Sequence, residues 1–176
     1  MKKTVLTFGL ISGAIVSGMM LLSLTFHDAL GFDRSMVVGY ASMVLAFLLV
    51  FFGVRSYRDN IGGGTVRFGR AFAVGALIAL VASLCYVATW ELSSSTIAPD
   101  YMAKYQTYTL DKARAEGASE QAIALMKAEM DKFAVMYKNP AINAAMTLAE
   151  PLPVGLIIAL VSAGVLSRRR KSAAGG

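Results

Sequence analysis

Histidine, cysteine, proline and charge are all scarce in this 176-residue chain, which has one histidine, one cysteine and four prolines. A lone cysteine, Cys85, excludes a disulfide within the chain, and a lone histidine, His27, excludes metal sites built on several histidines. A catalytic nucleophile needs an oriented base or a metal beside it, so we expect neither an enzyme nor a cofactor. Charged residues make up only 16% of the chain, against about one-quarter in a typical soluble domain.

Four long apolar runs take up most of the sequence. The first three cover residues 4–26, 36–54 and 71–90, and the fourth covers roughly residues 151–167 with a lead-in from residue 141. A helix needs about 20 apolar residues to cross a bilayer. The runs therefore predict an all-α integral membrane protein, a single domain with four transmembrane helices. The first run follows Lys2 and Lys3, as a signal peptide would, but it is long and lacks a small-residue cleavage site, so we interpret it as a retained helix.

Basic residues are concentrated in the tail and loop segments that alternate to one side of these runs. Those segments hold ten bases and one acid, Asp59, whereas the opposite side holds seven bases and ten acids. The ten are Lys2, Lys3, Arg55, Arg58, Arg67, Arg70 and residues 168–171 (RRRK). Because Lys and Arg are retained in cytoplasmic loops, this asymmetry predicts that both termini, with the tail 168–176, lie on the cytoplasmic side of the membrane. The net charge of +6 is then explained by orientation in the lipid bilayer, and no nucleic-acid partner is expected.

The extracytoplasmic (periplasmic) loop, residues 91–140, is predicted to form a helical hairpin. Tyr101, Tyr105 and Tyr108 recur at helical spacing, and so do Met126, Met130 and Phe133 after a break at Gly117. These apolar faces could pack together, lie on the bilayer surface or contact an envelope protein. We predict Tyr101, Tyr105, Met126, Met130 and Phe133 as the partner-facing residues.

Small residues spaced by four predict close helix packing in three of the spans. The pairs are Gly9 and Gly13, Gly75 and Ala79, and Gly155 and Ala159. Lipid tails are as apolar as leucine, so membrane helices associate by close approach at such positions. They could serve the internal bundle or a homodimer, and we favour internal packing.

Four polar residues are expected at the outer membrane face: Glu150, Glu91, His27 and Asp28. Together they could bind a cation or relay a proton. Alternatively each could be a solvated loop residue, which we favour. Glu150 directly precedes Pro151, so it could also be a simple helix-start residue that complements the helix dipole.

Two segments resemble a known family. Residues 150–163 (EPLPVGLIIALVSA), ending in the basic run 168–171, resemble the last helix of the bacterial membrane family called domain of unknown function 4199. Residues 63–72 (GGTVRFGRAF) resemble the signature that precedes its third span, and residues 40–57 resemble its second helix. The resemblance implies a four-span bacterial inner-membrane protein and supplies no activity.

Two functions remain as hypotheses. The first is a non-enzymatic structural or accessory protein whose outer hairpin contacts a partner or the membrane surface. The second is a small ion-coupled transporter or carrier that uses the boundary carboxylates. Against the second, the spans carry almost no charge at mid-depth and show no inverted repeat of broken helices.

Overall fold

The computed structural model describes residues 1–26 and 31–167, and these residues form seven α-helices and no strand. The helices are α1 (Lys2–Thr25), α2 (Phe32–Asn60), α3 (Phe68–Thr96), α4 (Tyr101–Ala115), α5 (Glu120–Tyr137), α6 (Pro140–Leu148) and α7 (Pro151–Leu166). The predicted all-helical class is confirmed. The C-terminal basic run 168–171 and the residues His27 and Asp28 lie outside the described residues.

Four helical segments are long and apolar enough to cross a membrane, which indicates a membrane protein. They are α1, α2, α3 and the continuous stretch Pro140–Leu166, which contains α6 and α7. The helices run past the apolar stretches that predicted them: α2 covers Phe32–Asn60 where the apolar run covers 36–54. Backbone hydrogen bonding continues through polar flanking residues, so an apolar run marks only the part of a helix suited to lipid.

Helices α2 and α3 lie side by side at the centre of the bundle. Helix α1 packs against both of them on one side, and α7 packs against both on the other. Between them is an apolar core in which Phe47, Val50 and Ile78 are fully buried. Within this core the Ser12 hydroxyl of α1 donates a 2.8 Å hydrogen bond to the Ala46 carbonyl of α2. That bond satisfies a polar group in a region with no water to do so.

Glycines of α1 allow it to lie directly on α3. A Cβ atom added at Gly9 would be 2.7 Å from the Val81 Cβ, and one added at Gly13 would be 2.7 Å from the Cys85 Cβ. Real Cβ atoms do not approach one another so closely. The two backbones are therefore at a distance that only glycine permits.

Small residues also hold α7 on α3, and here the contact is reciprocal. Gly155 of α7 faces Ala79 of α3, where an added Cβ would be 2.6 Å from the Ala79 Cβ. Gly75 of α3 faces Ala159 of α7, where the corresponding distance is 2.9 Å. The small residues singled out in the sequence thus lie at contacts inside this chain, between α1 and α3 and between α3 and α7.

Helices α4 and α5 form a hairpin, Tyr101–Tyr137, which we call the cap. The turn between them contains Gly117 at a φ of +85°, a conformation that favours glycine. The Ser119 hydroxyl caps α5 by accepting a 3.2 Å hydrogen bond from the Ala122 amide. Pro99 lies two residues before α4 begins at Tyr101.

The α3–α7 contact gives a testable consequence. We expect Gly155→Ala to lower the free energy of unfolding by about 1–3 kcal/mol, because the added methyl group must displace Ala79 or its helix. Thermal unfolding of the purified protein in detergent micelles measures this. The control is Gly164→Ala on the same helix, where an added Cβ meets nothing within 4 Å. Equal melting temperatures for the two variants would contradict the close contact.

Candidate functional site

The cap is attached to the bundle by a cluster of aromatic contacts, most of which involve Phe32 at the start of α2. The ring of Phe32 lies 5.8 Å from Tyr101, 5.7 Å from Tyr105 and 4.8 Å from Tyr108, measured between ring centroids. Tyr101 also meets the Trp90 ring of α3 edge to face, at 5.3 Å. Aromatic pairs at such distances stabilise by roughly 0.5–1.5 kcal/mol each beyond the area they bury. This cluster fixes α4 over the end of the bundle that we call the capped end.

An ion pair lies beside this aromatic cluster. Lys112 Nζ is 2.9 Å from Asp33 Oδ1, and both side chains are exposed. The hydrogen bond to Asp33, with a smaller effect from Tyr108, raises the pKa of Lys112 above its usual value. Exposed ion pairs contribute little to stability, so the aromatic contacts carry most of the attachment.

The two helices of the cap are joined by a polar contact of their own. Asp131 of α5 accepts a 2.7 Å hydrogen bond from the Gln106 amide of α4 and a 2.7 Å one from Lys127. The Lys127 ammonium, followed by Gln106, lowers the pKa of Asp131. Because the link joins α4 to α5, the cap is positioned as a unit rather than as two separate helices.

Beneath the cap, a polar contact joins α3 to α6. The Trp90 indole N–H donates a 3.1 Å hydrogen bond to Asn143 Oδ1, and the Thr147 hydroxyl donates to the same oxygen at 3.1 Å. Burial raises the pKa of the nearby Tyr137, and it raises the pKa of Tyr101 to about 12. Both phenols therefore remain neutral hydrogen-bond donors across the usual pH range.

The cap, α6 and the turns of α1, α2 and α3 at the capped end line a cavity of about 340 Å³. Six methionines and eight aromatic residues line it, and Glu150 is the only charged residue in its described wall. Met36 and Tyr40 of α2 line the cavity and are 46% and 49% exposed, so it opens beside the first turns of that helix. A concave apolar space of this size with a few polar groups is typical of a small-molecule site.

The Glu150 carboxylate contacts this cavity at the break between α6 and α7. Its Oε2 accepts a 3.1 Å hydrogen bond from the Tyr86 hydroxyl of α3. It does not cap α7 through its side chain, and Pro151 and Pro153 remove two of the backbone N–H donors in the first turn. No ion pair to Glu150 is present within residues 1–26 and 31–167. Among the described residues, the carboxylate therefore has one phenol partner and no cation.

The predicted polar group at the outer face is only partly described. Glu150 lines the cavity, whereas Glu91 is absent from its described wall. Glu91 Oε1 is buried and has no hydrogen-bond partner among the described residues. His27 and Asp28 lie outside those residues. Convergence of the four side chains therefore stays a hypothesis beside the favoured alternative, in which each is a solvated loop residue.

Three of the five residues predicted to face a partner lie on the inner side of the cap, where Tyr101, Tyr105 and Phe133 line the cavity. The other two, Met126 and Met130, are half-buried. When a helical hairpin packs on a bundle, the apolar stripes of its two helices face the bundle. The outward apolar residues of α5 are Leu125, Val135 and Met136, at 63%, 67% and 46% exposure.

Sequence reasoning did not single out Tyr86 or Tyr40, which line the cavity with Glu150. A signal existed for Tyr86, since it precedes Trp90 by four residues and both lie on one face of α3. Tyrosine near the end of a membrane span is also expected as an interfacial anchor, so a tyrosine at this position does not by itself indicate a site. Within the described part of the chain, no group of three or more His, Cys, Asp or Glu could hold a metal ion.

Comparison with protein families gives one match. The model of a family described as "Protein of unknown function (DUF4199)" covers residues 7–168. The chain belongs to this family. The match extends over all four apolar helices and the cap, and it carries no activity with it. No curated protein and no solved structure matches the chain.

Attachment of the cap by Phe32 can be tested by hydrogen exchange. In Phe32→Ala, amide exchange in α4 should become about tenfold faster or more, because three ring contacts to that helix are lost. Mass spectrometry of peptides from residues 101–115 measures the change. Phe52→Ala removes a 48% exposed ring of the same helix and serves as the control. Unchanged α4 exchange in Phe32→Ala would refute this attachment.

Proposed function

We propose that this protein is a non-enzymatic binding protein of a bacterial inner membrane, holding a small amphipathic molecule in the cavity beneath the cap. The observation that supports this is the cavity itself, which is about 340 Å³ in volume and is covered by the cap. Methionine side chains are flexible and polarisable, so a methionine-rich wall adapts to apolar ligands. The aromatic residues supply rigid surfaces with polar edges.

The proposed orientation puts both termini in the cytoplasm and the cap outside, because the cytoplasmic segments then hold ten of the seventeen basic residues. In this orientation the cavity lies in the outer half of the membrane. It is open beside Met36 and Tyr40, so a ligand can enter from the outer leaflet or from the extracytoplasmic solution.

Binding is better supported than transport. Met43 lines the cavity, but Phe47, one turn further along α2, is fully buried in the core. Beside α2, the cavity therefore ends against the packed core. An accessory role through the predicted partner-facing residues is also less well supported, because three of them, Tyr101, Tyr105 and Phe133, line the cavity. The small residues that could have formed a homodimer contact are used between α1, α3 and α7.

Orientation can be tested by labelling single cysteines with a membrane-impermeant maleimide in intact cells, in a Cys85→Ser background. We expect Glu116→Cys, in the exposed turn of the cap, to be labelled without lysis. Thr65→Cys, in the exposed turn between α2 and α3, should be labelled only after lysis. The reverse pattern would place the cap in the cytoplasm and refute the proposed topology.

The cavity proposal can be tested by filling the cavity. Gly39 lines it, and a Cβ atom added there meets nothing within 4 Å, so Gly39→Leu should fill space without straining the fold. Trp90 is the only tryptophan in the chain and also lines the cavity, so its fluorescence reports on occupancy. In dodecyl maltoside micelles, 8-bromooctanol or 8-bromooctylammonium should quench Trp90 saturably in the natural protein and only linearly in Gly39→Leu.

Gly164→Leu is the matched control, because it makes the same change in open space on α7, away from the cavity. Saturable quenching should persist in this variant. If neither bromo-alkyl probe gives a saturable component with the natural protein, the binding proposal is wrong. If Gly39→Leu retains that component, the ligand binds elsewhere.

A further inference from the structure

We infer that the cavity binds a molecule with a cationic ammonium head on an apolar body, with Glu150 as its counter-ion. This inference rests on the proposed binding function and specifies its ligand class. The geometric basis is a carboxylate on the wall of an aromatic cavity whose described lining contains no lysine, arginine or histidine.

Glu150 is incompletely satisfied by the protein. The Tyr86 hydroxyl donates to Oε2 at 3.1 Å, while Oε1 receives no hydrogen bond from a described residue. Two prolines deprive the first turn of α7 of backbone donors, so the helix start provides little of what the anion needs. Glu150 is also exposed rather than sealed in the core, and a ligand in the cavity can therefore reach it. An ammonium group placed there would supply both a positive charge and N–H donors.

Aromatic rings around the carboxylate suit the same head group. Tyr86, Tyr40 and Tyr101 line the cavity with Glu150, and the faces of such rings attract cations. Aromatic cages of this type recognise amine and quaternary ammonium ligands in other proteins. An anionic head would be repelled by Glu150, and a neutral one would leave Oε1 without a charged partner.

An organic cation fits the wall better than a bare metal ion. Metal cations such as Ca²⁺ take six to eight oxygen ligands. Here the side-chain oxygens of the described wall belong to one carboxylate, five phenols and four serine or threonine hydroxyls, and most of the remaining surface is methionine and aromatic. That apolar surface requires a ligand with an apolar part. The ammonium could belong to a lipid headgroup or to a free alkylamine, since the chemistry recognised is the same.

The test compares two probes of equal chain length with the full-length protein in dodecyl maltoside micelles. Quenching of Trp90 by 8-bromooctylammonium should saturate at a concentration roughly tenfold lower than quenching by 8-bromooctanol, corresponding to one counter-ion contact. In Glu150→Gln this preference should disappear through weaker binding of the ammonium probe. In Glu150→Asp, which keeps the charge, the preference should persist.

Glu129→Gln is the control, because it removes an exposed carboxylate from α5 outside the cavity. It should retain the full preference for the ammonium probe. The comparison of probes with the natural protein stands by itself even if a variant at Glu150 fails to fold. Thermal unfolding without probe shows whether each variant is folded.

The outcomes separate the two proposals. Saturable quenching by both probes at equal concentrations, unaffected by Glu150→Gln, would overturn the cation inference and leave the binding function standing. No saturable quenching by either probe would overturn both. Competition with the ammonium probe by phosphatidylethanolamine, but not by phosphatidylglycerol, would support the inference with a lipid headgroup as the source. Selective ammonium binding without lipid competition would support it with a free amine.

Discussion

The close approach of α3 to α1 and α7 is the constraint on which the rest of the structure depends. In a bilayer, helices gain little from expelling lipid, so they associate where their backbones can come within contact distance. Gly9 and Gly13 permit this on one side of α3, and Gly75 and Gly155 permit it on the other. These contacts set the positions of α1 and α7 on α3.

The cavity follows from a change in residue size along the same helix. Helix α3 presents Gly75, Ala79 and Ala82 to its neighbours and then, towards the capped end, Tyr86 and Trp90. Small side chains bring helices together, whereas large ones hold them apart. The helices therefore separate at the capped end, where methionine and aromatic side chains border the space without filling it. The cap covers this opening because the ring of Phe32 packs against tyrosines of α4.

The break before α7 gives the cavity its chemistry. Between the end of α6 at Leu148 and the start of α7 at Pro151, Ala149 and Glu150 have backbone angles in the helical region. The Glu150 carboxylate at this junction accepts a hydrogen bond from the Tyr86 hydroxyl. Prolines tolerated at a helix start thus also limit the amide donors available to the anion. The same short segment terminates one helix, begins another and places a charge on the cavity wall.

Composition and periodicity determined the class of this protein: four apolar runs require helices of spanning length, and a lone cysteine and histidine exclude disulfides and histidine-rich metal sites. Spacing by four identified Gly9, Gly75 and Gly155 as packing residues, because helical geometry places such positions on one face. The tertiary structure alone decided what those faces meet. Tyr101 and Tyr105 carry the same helical pattern whether they face a partner or the bundle, and only the fold turns them inward. Likewise Tyr86 and Glu150 are 64 residues apart, and no local sequence pattern predicts a contact that arises from packing between distant helices.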